Sequence, residues 1–243
     1  MKRAIAGVAL AATLAVAAAA TRPFWIAPDA AQAQAWLHDA ADRRDSGAEA
    51  SLARWSARGN ASARHAYAAL LAHRADAGSR RRLEQLLGDG AEAGDAACAT
   101  QLAELLAGAG GSHDDARIAR LLAQGSAGQV PAASRLLGLR ALDAAHGTPD
   151  LARAATLIGR AADQGDVAAM FLYANLLRAG QGVPRDDARA LALYQAAGDA
   201  DYAPAIQALA IAWRYGELGL QADSSQSRLM DHEAAEALAH AVR

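Results

Sequence analysis

Four arginines, Arg82, Arg117, Arg153 and Arg189, recur at intervals of 35–36 residues. A guanidinium presents a planar fork of donors that grips carboxylates in pairs, so a regular row of them is the chemistry of an anion-binding strip. Three of the four follow an aspartate by three positions, at Asp114, Asp150 and Asp186. Two readings therefore stand side by side. Stacked in space, the arginines form an electropositive surface for an acidic peptide or a polyanionic glycan. Taken locally, each pairs with its own aspartate at i,i+3, an exposed contact of only about 0.2–1 kcal/mol.

Catalytic and cofactor chemistry finds little support. Lys2 is the only lysine, which removes Schiff-base, phosphate-loop and serine-activating lysines from consideration once the N-terminus is processed. No Gly-x-Ser-x-Gly elbow is present. Gly180-x-Gly182 follows a helical pattern rather than a strand, so it reads as a helix stop and not as a phosphate cradle. Cys98 is the sole cysteine; it occupies the small-residue position shared with Ala63, Ala133 and Ala169 and is expected to be a buried small hydrophobe. His232, Glu236 and His240 share one helical face, but the second histidine of a zinc-peptidase motif is replaced by Glu236, so a polar outer face is expected there and no metal. His38, His65, His73, His113 and His146 follow no repeat, and His65 is expected to be exposed. No catalytic, cofactor-binding or metal residue is assigned.

Elements that would position the arginines emerge from a helix-pair unit recurring every 35–36 residues. Gly165-Asp166-Val167-Ala168-Ala169 is echoed by Gly94-Asp95-Ala96-Ala97-Cys98, by Gly59-Asn60-Ala61-Ser62-Ala63 and, more faintly, by Pro131-Ala132-Ala133. Periods of this size are the signature of stacked repeats. The clearest unit spans 150–185. Asp150 caps a helix with Ala154, Leu157, Ile158 and Ala161 on one stripe. Gln164-Gly165 breaks it, a second helix carries Ala169, Tyr173, Ala174 and Leu177, and Gly180 ends that one. The caps are expected to recur as Ser79, Asp114, Asp150 and Asp186. The second-helix stripe recurs as Ala63, Tyr67, Ala68 and Leu71, and as Ala205, Leu209, Ala210 and Trp213. Units are read at 44–78, 79–113, 114–149, 150–185 and 186–222, with a helix-bearing segment at 21–43 before them and a capping helix at 223–243 after them. Helices this short cannot bury both faces alone, so neighbours must stack, and the fold class is an all-α solenoid of antiparallel helix pairs.

Arg153-Ala154-x-x-Leu157-Ile158-x-Arg160-Ala161-Ala162-Asp163-Gln164-Gly165, followed by Ala169 and Gly180-Gln181-Gly182-Val183, resembles the Sel-one-like repeat (SLR), a relative of the tetratricopeptide repeat. The resemblance extends to the fifth unit through Leu193-Tyr194, Ala205 and Gly216, and covers about 180 residues, with the first three units degenerate. It implies a right-handed superhelix that acts as an adaptor or scaffold, frequent among exported bacterial proteins. The β-lactam binding linked to some cysteine-rich members does not carry over to a chain with one cysteine.

Composition agrees. About three residues in ten are alanine and aromatics make up 5%, a palette for close helix approach. A net charge of -2 argues against a nucleic-acid partner, which would need a concentrated basic face. Met1-Lys2-Arg3, the apolar run Ala4–Ala20 and the small residues Ala18-Ala19-Ala20 read as an export signal, with an uncleaved inner-membrane anchor as the alternative and the only membrane contact expected. The combined expectation is a non-catalytic, periplasmic or secreted scaffold that binds a protein partner, with Arg82, Arg117, Arg153 and Arg189 as contact residues. The alternative is an envelope polysaccharide-binding module or hydrolase using a groove of the solenoid, where Trp36, Trp55 or Trp213 would stack on sugar rings.

Overall fold

The computed structural model describes residues 27–74, 76–108 and 115–241. The export signal or anchor at 1–20 and the proposed cap Asp114 lie outside them. All regular structure among the described residues is helical, and no described helix is long and apolar enough to cross a membrane. The chain divides into two compact units, Met1–Asp114 and Asp115–Arg243. The first holds α1 (Ala30–Asp42), α2 (Ser46–Ala57), α3 (Ala61–Ala72), α4 (Ala77–Glu92) and α5 (Ala96–Ala107). The second holds α6 (Asp115–Ala127), α7 (Pro131–Leu142), α8 (Leu151–Asp163), α9 (Val167–Ala179), α10 (Asp187–Gly198), α11 (Ala203–Tyr215) and α12 (Ser224–Ala241). Within each unit every helix packs on the next along the chain. The result is five helix pairs, α2/α3, α4/α5, α6/α7, α8/α9 and α10/α11, preceded by α1 and followed by α12.

One turn geometry makes all five pairs. The residue between the two helices takes positive φ in each: Gly59, Gly94, Gln129, Gly165 and Asp201. The next residue caps the second helix and sends its N–H back five positions, as Asn60 to Trp55, Asp95 to Gly90, Val130 to Gly125, Asp166 to Ala161 and Tyr202 to Ala197. That closes the C-terminus of the first helix in the manner of a Schellman turn. Glycine is the cheap residue at such a φ; Gln129 and Asp201 hold it without that advantage, which is why these two turns are not visible as a glycine pattern.

Asp150 and Asp186 cap α8 and α10 as expected, accepting from the backbone of Arg153 and Arg189. Ser79 does not cap α4. Asp76 does, accepting from the Ser79 N–H, and Ser79 sits buried inside the first turn. A carboxylate three residues upstream outcompetes a hydroxyl for the free amides, and α4 gains most of a turn. The second-helix stripes are buried as read from the sequence: Ala63, Tyr67, Ala68 and Leu71 in α3, Ala169, Tyr173, Ala174 and Leu177 in α9, and Ala205, Leu209 and Ala210 in α11.

Small residues set how close the helices come. A methyl added at Gly138 of α7 would lie 2.5 Å from Ile158 Cγ1 of α8, and one at Gly90 of α4 would lie 2.6 Å from Cys98 Sγ of α5. Bulk enters where the alanine lattice leaves room: Tyr194 is fully buried between α9 and α11, and its hydroxyl donates to Asn175 Oδ1 at 2.7 Å. A buried phenol needs such a partner.

Polar ties link successive pairs at equivalent positions. The residue five past one second-helix cap meets the cap of the next second helix. In the first unit His65 Nε2 lies 2.8 Å from Asp95 Oδ2. In the second, Arg135 Nε donates to both carboxylate oxygens of Asp166 at 3.0 and 3.1 Å, and one step later Phe171 packs on Tyr202, ring centroids 5.7 Å apart. Arg160 of α8 adds another tie, donating to the buried hydroxyls of Ser126 and Ser134 in α6 and α7.

Candidate functional site

Arg117, Arg153 and Arg189 occupy the third position of α6, α8 and α10, and all three are exposed. Arg82, also exposed, lies a turn deeper in its own helix because α4 starts early. The expected i,i+3 ion pair is not the bond that forms at Asp150 and Asp186. Each aspartate accepts from the arginine's backbone N–H at 2.9 Å. The guanidinium of Arg189 turns instead to Asp163, at 3.6 Å, and stacks over the Tyr173 ring at 5.0 Å. Arg153 opens on a cavity of about 210 Å3 that Arg140, His146, Asp143 and Asp150 also line. There Arg140 and His146 are held by Asp115 at 3.5 and 3.3 Å, while Arg153 has no ion pair among the described residues. Arg82 and Glu49 in the first unit interact over a longer range: the arginine helps hold the Glu49 carboxyl low, behind the larger effect of the Arg74 hydrogen bonds.

A second cluster escaped the sequence reading. His65, Asp95 and Cys98 bring one ligating atom each to within 4.8 Å of one another. The arrangement invites comparison with a metal centre, and the charges answer it. Arg64, itself buried, places Nη1 3.4 Å from the same Asp95 oxygen that His65 contacts, so a cation already balances the carboxylate. Burial, followed by the neighbouring Asp95 charge, pushes the Cys98 thiol up to about 12, which keeps it protonated near neutral pH and unsuited to act as a nucleophile. Asp95 also caps α5 through the amides of Ala97 and Cys98. The cluster ties α3 to α5. Periodicity holds the signal that would have found it, because His65 and Arg135 stand at the same place in their repeats and each faces the aspartate of the next cap.

The remaining candidates resolve individually. Cys98 is fully buried, as its place in the repeat implies. His65 is only half-exposed, held by Asp95, rather than free on the surface. His232 and Glu236 lie 3.8 Å apart on the exposed face of α12, opposite the buried Ala234 and Ala237. Gly180 ends α9 in the left-handed conformation. Trp55 is buried in the core under Arg58, whose guanidinium lies 5.0 Å from the ring centroid. Trp36 and Trp213 are half-buried and each lines a surface groove.

No protein-family model matches the sequence, and no curated protein is similar to it. Solved structures are similar in fold. A Sel1 repeat protein from Oxalobacter formigenes superimposes over 83% of this chain and 84% of its own, with a TM-score of 0.69 at 17% identity. The protein c5321, a protective antigen of uropathogenic Escherichia coli strains with an SLR fold, matches 84% of this chain with a TM-score of 0.69 at 18% identity. This chain spans 46% of the c5321 structure. The fold is therefore the α-solenoid of Sel1-like repeats.

Proposed function

We propose that this Sel1-like solenoid is a non-catalytic scaffold that binds a protein partner through exposed side chains of its helix pairs. Arg117, Arg153 and Arg189 of the second unit are the contact residues for an acidic segment of that partner, and Arg82 is a contact residue of the first unit in its own right. One observation carries the reading. Three exposed arginines recur at the same helical position, and at two of them the nearby capping aspartate is committed to the backbone, so that Arg153 has no ion pair among the described residues and Arg189 has only a 3.6 Å contact with Asp163 and the Tyr173 ring. The SLR folds of the solved neighbours support the repeat as an interaction module. The charged stretch Met1-Lys2-Arg3 and the apolar run after it support a place in the cell envelope, either released after cleavage or anchored by residues 4–20.

The test is an affinity capture from envelope extracts with the full chain, run beside the triple variant R117A/R153A/R189A. A partner held by the first and lost by the second establishes the scaffold and its arginine surface. A partner held equally by both moves the contact elsewhere. Capture of glycan fragments in place of protein by the full chain overturns the reading in favour of polysaccharide binding. Cell fractionation tests the location independently.

A further inference from the structure

Where α10, α11 and α12 meet in the second unit, a groove of about 220 Å3 opens to the surface. Its size is below the roughly 300–1,000 Å3 of small-molecule pockets and suits a single side chain. The apolar lining is Ile206, Leu209 and Met230, with half-buried Trp213 beside them. Its charged lining is entirely acidic, Asp199 and Glu233. Nearby acids are spent: Asp231 accepts from Arg214 at 2.6 Å and Glu236 faces His232. Asp199 and Glu233 have no ion pair among the described residues. Asp199 is moreover the C-cap of α10, where the helix presents the negative end of its dipole and an added carboxylate is unfavourable. The dipole gives folding no gain from an acid at that place, whereas a cation in the groove would have two carboxylates, a helix C-terminus and an indole among its walls.

We propose that this groove docks an arginine side chain of a partner polypeptide. The guanidinium, planar and weakly hydrated, suits stacking on Trp213 with its edge toward the carboxylates, and the methylene stem lies along Leu209 and Met230. The site is separate in charge and place from the arginine surface, so failure of either leaves the other standing.

The experiment titrates the full chain with an acetylated, amidated Gly-Leu-Arg-Gly peptide and follows the indole N–H resonance of Trp213, identified through W213F. The expected result is a saturable shift with the arginine peptide and none with its glutamate counterpart. D199N/E233Q, two exposed positions whose change should not lower the melting temperature because it removes a carboxylate from the helix C-terminus, weakens the binding by roughly tenfold or more. No shift at millimolar peptide, or a shift that D199N/E233Q leaves intact, overturns the proposal. A shift produced by chitotriose but not by the arginine peptide overturns it in favour of a saccharide groove.

Discussion

Arg135 holds Asp166 by both carboxylate oxygens, at 3.0 and 3.1 Å, and Asp166 is at the same time the cap of the next second helix, accepting from the Ala169 N–H at 2.8 Å. One carboxylate thereby starts a helix and fastens it to the pair before. Both partners are largely shielded from water, so the bond is not one of the exposed pairs whose contribution vanishes into solvent.

Removing the two functions separately should give a graded series. D166A loses tie and cap, R135A the tie alone, and D150A a cap alone. Charge-assisted hydrogen bonds contribute about 1.5–3 kcal/mol and a cap about 0.5–2. Urea midpoints should therefore fall most for D166A, less for R135A and least for D150A. A D150A loss equal to that of D166A would show that the tie adds nothing.

Gly182 and Gly165 both take positive φ, yet they differ in their surroundings. A methyl on Gly182 would lie 2.0 Å from the Leu151 carbonyl oxygen, whereas one on Gly165 would meet nothing within 4 Å. G165A should cost only the conformational strain, about 1 kcal/mol, and G182A should cost that plus displacement of the α8 backbone, about 2–4 kcal/mol in all. Thermal melts of the two variants measure the difference directly.

Acid should weaken the first unit. Glu49 is held below the usual carboxylate range by its hydrogen bonds from Arg74, against the opposing effect of burial. Burial also pushes Asp95 up, but the hydrogen bond from the Cys98 amide and the attraction of the neighbouring His65 ring outweigh it and the carboxyl ends low. A carboxyl with a lowered folded pKa stabilises above its unfolded value of about 4, and the contribution is lost as pH falls through the folded one. The stability lost between about pH 6 and pH 3 should be larger for the natural chain than for E49Q/D95N, as read by urea unfolding at the two pH values.

The Cys98 thiol, buried and pushed up to about 12, should be inert to an aromatic disulfide reagent in the folded protein near neutral pH and react fully in denaturant. Rapid labelling under native conditions would mean that α5 opens readily or that the thiol is ionised.

Packing at Ala174 supplies a further measure. Its side chain is fully buried in the α8–α11 core, and A174L should overpack that core by about 1–3 kcal/mol. A variant of unchanged melting temperature would place the residue outside the tight contact.

What the sequence by itself determined was local: the 35–36 residue period, the alanine stripes of α3, α9 and α11, the caps Asp150 and Asp186, and the helix stop at Gly180. The period is the recurrence of signals that each act within a turn or two, where a cap oxygen, a glycine φ or an i,i+4 stripe works without reference to the rest of the chain. Even here local competition defeated one reading, since Asp76 took the cap assigned to Ser79. What only the tertiary structure decided was where side chains meet across pairs. Which carboxylate Arg189 chooses, that buried Arg64 and Cys98 join His65 at Asp95, and that Trp213 lines a groove with two unpaired acids all depend on how stacked helices are rotated and spaced. That rotation is set by contacts such as Gly138 against Ile158 and Gly90 against Cys98, whose partners lie on different helices and leave no mark in the spacing of either segment alone.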